Sequence, residues 1–126
     1  MKENAKFLKC PICDNIIEII DGDVQHITCC GRKMEEMKAN TTDAATEKHI
    51  PIYKKVEDEI VVSVGEVEHP MEKEHYIMWI AQVSENRITR VKLHPEQATE
   101  TRFPYISGAT LYAYCNKHVL WKTTIE

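Results

Sequence analysis

No stretch of this 126-residue chain is apolar for long enough to cross a bilayer. The longest uninterrupted run, Tyr76-Ile77-Met78-Trp79-Ile80-Ala81, has six residues, against roughly 20 for a spanning helix. Positive charge is also short: 16 Lys and Arg stand against 20 Asp and Glu, for a net charge of −4. No basic stripe is present to neutralise phosphates, which argues against a nucleic-acid partner. The opening MKENAKFLKC lacks the apolar core of a secretory signal, so a cytoplasmic protein is expected. Low-complexity stretches are missing too, and with 43% hydrophobic residues the composition is globular. The length suits one ordinary domain, or one domain with a small attachment.

Cysteine is not scarce, and its placement is lopsided. Cys10, Cys13, Cys29 and Cys30 crowd the beginning, while Cys115 stands alone near the other end. Thiols at motif spacing in a chain without an export signal are more often metal ligands than disulfides. Residues 1–37 hold those four cysteines and few bulky apolar side chains. A unit of fewer than about 40 residues rarely folds on burial alone and needs a metal or disulfides. Within it, residues 6–9, 16–20 and 25–28 read as short strands around the turn Asp21-Gly22-Asp23. Residues 38–46, KANTTDAAT, have no apolar side chain beyond alanine and read as a linker.

From 47 to 126 the pattern is β. Ile60, Val62 and Val64 alternate on one face, and residues 76–83 read as a strand buried on both sides. Ser84-Glu85-Asn86 turns the chain into 87–93, and strands over 110–114 and 119–125 follow. Strands at this spacing with polar turns predict an antiparallel sandwich or barrel.

Cys10-x2-Cys13, followed after fifteen residues by Cys29-Cys30, can place four sulfurs around one ion. Such a cluster carries excess negative charge and calls for backbone N–H donors from its turns. Neighbours such as Cys29 and Cys30 tend to point apart, so their convergence on one metal should be strained. Zinc and iron both favour four sulfurs. A zinc knuckle that only staples the fold, and a disulfide framework, are other readings of the same residues.

Of six histidines, His26 and His94 read as ordinary surface or core residues. Cys115-x2-His118 differs: Leu111, Ala113 and Cys115 share a strand face, which aims the thiol inward, and Asn116-Lys117 can turn His118 back toward it. His69 and His75 bracket a loop that feeds a buried strand, and His49 follows Glu47-Lys48. The plainer reading is a set of unconnected histidines. If they converge, sulfur plus imidazole suits iron, copper or zinc rather than magnesium or calcium. One thiolate and four neutral imidazoles leave a divalent ion net positive, with one octahedral position for a small anion.

With these residues in place, the chain resembles the desulfoferrodoxins, the two-iron class of superoxide reductases. Cys10-Pro11-Ile12-Cys13 with Cys29-Cys30-Gly31 resembles the desulforedoxin-like domain. Glu47-Lys48-His49-Ile50-Pro51, His69-Pro70-Met71 with His75 and Trp79, and Cys115-Asn116-x-His118 resemble the catalytic domain. The resemblance implies an all-β chain: a desulforedoxin-like iron domain over 1–37, a linker over 38–46 and an immunoglobulin-like β-sandwich over 47–126. It implies two irons per chain. Cys10, Cys13, Cys29 and Cys30 would hold the first, with zinc able to stand in. His49, His69, His75 and His118 would be equatorial on the second, and Cys115 axial.

The expected reaction is one-electron reduction of superoxide to hydrogen peroxide, with electrons from rubredoxin or a similar carrier, in a cytoplasmic homodimer. Glu47 would occupy the sixth position in the oxidised state, and Lys48 would attract superoxide and help deliver a proton. An electron carrier with an incidental histidine site, a superoxide dismutase and a structural zinc protein are competing readings. One departure stands out: the family commonly has glycine directly after the last ligand histidine, where this chain has Val119. The loop presenting Cys115 and His118 is therefore expected to differ in detail.

Overall fold

A computed structural model of the chain describes residues 5–40, 49–65 and 69–126. These residues form two compact units that meet in sequence between Lys38 and Ala39. Among the described residues, no helix is long and apolar enough to cross a membrane.

The first unit contains β1 (Lys6–Lys9), β2 (Ile16–Ile19), β3 (Thr28–Cys29), β4 (Arg32–Lys33) and β5 (Glu35–Glu36). β1 lies between β2 and β5, and β3 pairs with β4. Its core is small: Leu8, Cys10 and Met34 form one cluster with Ile17, Ile19, Val24 and Ile27 packed against it, and Phe7 is buried too. Residues 25–28 are not the expected strand, because only Thr28 is extended into a ladder. The Asp23 carboxylate accepts the Gln25 N–H at 2.9 Å, closing an Asx turn that curls the chain instead. The strand expected over 16–20 stops at Ile19, and Ile20 is 95% exposed.

The second unit contains β6 (Pro51–Val56), β7 (Glu59–Val64), β8 (Ile77–Val83), β9 (Ile88–Lys92), β10 (Thr101–Pro104), β11 (Thr110–Cys115) and β12 (Val119–Thr124). One sheet has the order β10-β7-β6 and the other β12-β11-β8-β9, with every pairing antiparallel. Ile60, Val62, Val64 and Phe103 from the first sheet share one core with Ile80, Leu111, Ala113 and Cys115 from the second. This is an immunoglobulin-like sandwich. β11 is central in its sheet and buried at all six positions. On its other side, Tyr114 stacks with Trp79 at 5.7 Å, and the Arg90 guanidinium lies over Trp79.

Asn40, at the start of the segment read as a linker, is held against β12. Its N–H donates to the Leu120 carbonyl, and its side-chain oxygen accepts the Lys122 N–H, each at 2.9 Å. Residues 41–46 lie outside the described residues.

Candidate metal centres

The first unit brings Cys10, Cys13, Cys29 and Cys30 together, with their sulfurs all within 4.8 Å of one another. The Cys13 and Cys29 sulfurs are 3.6 Å apart, and those of Cys29 and Cys30 are 4.0 Å apart. A disulfide requires about 2.05 Å, and all five cysteines are free thiols. Convergence of the adjacent pair has a local cause. Cys30 takes a left-handed φ of 55°, so successive side chains no longer alternate across the strand.

The expected N–H donors are present: Ile12 and Cys13 direct theirs at the Cys10 sulfur from 3.4 and 3.5 Å. The Cys13 N–H, followed by that of Ile12, lowers the Cys10 thiol to about 7 against the burial that opposes it. The Cys30 thiol is pushed up to about 12 by its bonds to the Cys13, Cys29 and Cys10 sulfurs. Without a cation, the cluster thus favours one thiolate at the expense of its neighbours. A bound cation reverses that penalty, so four crowded thiols fit a tetrahedral metal.

The second unit assembles four imidazoles from three separate stretches of chain. The centroids of His49 and His69 are 4.6 Å apart, His69 and His75 4.8 Å, His75 and His118 5.0 Å, and His118 and His49 4.7 Å. Across the ring, His49 and His75 are 6.4 Å apart and nearly parallel, whereas neighbouring rings meet at 77–89°. These are the sides and the diagonal of a square of rings turned edge to face. The ligand atoms of His49, His69, His75 and Cys115 all lie within 4.8 Å of one another. His118 joins them through Nδ1, which is 2.9 Å from His49 Nε2 and 3.9 Å from the Cys115 sulfur.

For His69, the nitrogen that faces inward is set by an outer partner. His69 Nδ1–H donates to the Pro70 carbonyl at 2.7 Å, leaving its buried Nε2 without a hydrogen-bond partner, as is His75 Nε2. Two orphaned ring nitrogens beside a thiol fit a metal ion. His69 is lowered to about 4, first by burial, against the bond to Pro70, and then by His49, His75 and His118. Burial lowers His75 as well, so both rings are neutral near pH 7 and keep a lone pair to donate. Burial raises the Cys115 thiol, and the Lys117 and His118 backbone N–H groups oppose that rise. The structure therefore contains two metal-binding sites, one built from four thiols and the other from four imidazoles and one thiol.

The loops carrying these ligands are tied together by Asn116. Its side chain accepts the Tyr76 N–H at 3.0 Å and donates to the Glu74 carbonyl at 3.1 Å, joining the Cys115–His118 hairpin to the His75 turn. That turn is closed by reciprocal backbone bonds between Glu72 and His75. The sequence assigned Asn116 only a turn, because a polar residue beside a lysine carries no local sign of a partner on another loop.

The hairpin returns through Val119, which pairs with Cys115 at a φ of 70°. The valine thus occupies the backbone region that glycine prefers, at the departure noted in the sequence. Left-handed backbone costs an L-residue about 1–2 kcal/mol, and β-branching adds crowding. In an ordinary strand, glycine is less stable than alanine. Here the order should invert, with Val119→Gly more stable than Val119→Ala by about 1 kcal/mol. Urea unfolding of the two variants measures this; alanine proving the more stable would show that the hairpin does not impose the angle.

All nine residues expected to ligate metal fall into the two clusters, and His26 and His94 are exposed and belong to neither. Glu47 and Lys48 lie outside the described residues. The chain is similar to known proteins over nearly its whole length. The family model described as desulfoferrodoxin matches residues 41–124. A desulfoferrodoxin of Clostridium acetobutylicum is 46% identical over 107 residues, covering 85% of this chain and 86% of that one. One from Syntrophotalea carbinolica is 41% identical over 124 residues, 98% of each chain. The crystal structure of the superoxide reductase from Treponema pallidum superposes with a TM-score of 0.76 at 28% identity, covering 97% of this chain and 100% of that one. With a four-thiol cluster ahead of a sandwich that gathers four imidazoles and a thiol, this chain belongs to the desulfoferrodoxin family.

Proposed function

We propose that this protein is a superoxide reductase, carrying out one-electron reduction of superoxide to hydrogen peroxide at an iron held by His49, His69, His75, His118 and Cys115. The observation that carries the reading is the square of four imidazoles with a buried thiol beside it. When bound there, iron supplies a one-electron couple and a coordination position for the substrate. His49, His69, His75, His118 and Cys115 would hold the iron, and the Cys115 thiolate would supply electron density to the metal. His69 is locked in one tautomer by the Pro70 carbonyl. One superoxide, one electron and two protons give one hydrogen peroxide.

In this reading the four-thiol centre of a desulforedoxin-like domain over 1–37 holds a second iron, for which zinc can substitute. Residues 38–46 link it to the catalytic domain over 47–126. Rubredoxin or a similar carrier supplies electrons, and the protein acts as a cytoplasmic homodimer. Glu47 would provide a carboxylate able to bind the metal once it is oxidised. Lys48 draws superoxide toward an otherwise acidic molecule and supports protonation of the product.

Two measurements test the reading. Metal analysis should find two irons per chain, and zinc without iron would end it. Superoxide delivered with a reductant should yield hydrogen peroxide without oxygen evolution, whereas oxygen released without an external donor would identify a dismutase. Lys48→Ile should slow association with superoxide severalfold and flatten its dependence on ionic strength. An unchanged rate and salt profile removes Lys48 from the mechanism.

A further inference from the structure

One fully buried side chain outside the ligand set touches two ligands at once. Trp121, 1% exposed, stacks on the His49 imidazole with centroids 4.9 Å apart and planes 24° apart. Its indole N–H donates to the His118 carbonyl at 3.0 Å. His49 and His118 are adjacent corners of the square, and their facing nitrogens are 2.9 Å apart. Across the ladder with β11, Trp121 sits in register with Ala113.

We propose that Trp121 is a positioning residue of the second centre, fixing the His49 ring and the His118 peptide relative to each other. This deepens the superoxide reductase reading and rests on it. An indole is rigid, with two side-chain torsions, so anchoring both its ends fixes the angle between the groups it touches. The N–H bond orients the His118 peptide and, with it, the direction in which that side chain leaves the hairpin. The stack acts on the ring itself. An imidazole that donates its lone pair to a cation becomes electron-poor, and the electron-rich indole face favours that form. Trp121 therefore supports the metal-bound arrangement more than the metal-free one, which a simple core filler does not do.

The test compares the full-length iron-loaded protein with Trp121→Phe, which keeps a stacking ring but loses the N–H, and Trp121→Leu, which loses both. Ferrous ion is titrated against a competing chelator, and the ferric second centre is followed by electron paramagnetic resonance. Far-ultraviolet circular dichroism reports folding of the sandwich, and the absorption of the iron at the four-thiol centre reports loading in the same sample. Outer-shell partners typically contribute 10–100-fold to metal affinity. Trp121→Phe should lower ferrous affinity at the second centre about tenfold and alter its resonance line shape, with the absorption of the four-thiol iron unchanged. Trp121→Leu should lower affinity about 100-fold. Should the leucine variant fail to fold, the phenylalanine variant carries the test alone. Wild-type affinity and line shape in Trp121→Phe overturn the proposal. A wild-type protein that binds ferrous ion at this centre yet makes no peroxide defeats the superoxide reading and leaves the affinity comparison intact.

Discussion

Cys115→Ser should lower superoxide reduction by more than about 100-fold while the four-thiol centre stays loaded. Outer partners of a metal site already account for 10–100-fold, and Cys115 is proposed as a direct ligand whose softness sets the electronic character of the iron. The substitution is nearly isosteric at a fully buried position in the sandwich core. A serine oxygen there can accept the Lys117 and His118 backbone N–H groups that now face the sulfur. The loss of stability should therefore stay near 1–2 kcal/mol. The ferric band arising from sulfur at the second centre should vanish as the rate falls. Full activity in this variant would point to an electron carrier whose histidine cluster is incidental.

The contrast between this buried thiol and the square of rings marks how far the sequence could be read. Alternation exposed the inward face of β7 through Ile60, Val62 and Val64, because a half-buried strand has a two-residue period. It exposed the inward thiol of Cys115 for the same reason. β10 escaped because Thr101–Pro104 has one buried residue, Phe103, and a single position has no period. β4 and β5, with two residues each, escaped likewise. Residues 25–28 looked extended, yet the decisive feature was Asp23 closing a turn on Gln25. The ligand types were legible from their motifs. Their order around the square was not, because it depends on how three loops at one end of a sandwich are stapled. Asn116 and Trp121 do that stapling through contacts with Tyr76 and His49, far away in the chain, which no local pattern encodes.

Cys10→Ser should unfold the first unit and leave the second centre intact. Cys10 is both a thiol of the cluster and one of the few buried residues of the unit, with Phe7, Leu8 and Met34. A segment of this size buries too little apolar surface to offset its backbone entropy, so its folding free energy is largely that of metal binding. Structural Cys-rich sites supply roughly 10–16 kcal/mol in small zinc-binding peptides, more than a handful of core side chains contributes. Serine keeps the volume but gives up the thiol that the Ile12 and Cys13 N–H groups lower to about 7. Trypsin should then cleave at Lys9, Arg32 and Lys33 in the variant at least tenfold faster than in the iron-loaded parent, an equilibrium shift of about 1.4 kcal/mol or more. The band from the second centre, whose ligands all lie beyond residue 48, should persist. A variant without metal at the first centre that still resists trypsin there would mean that Leu8, Met34 and their neighbours fold this unit unaided.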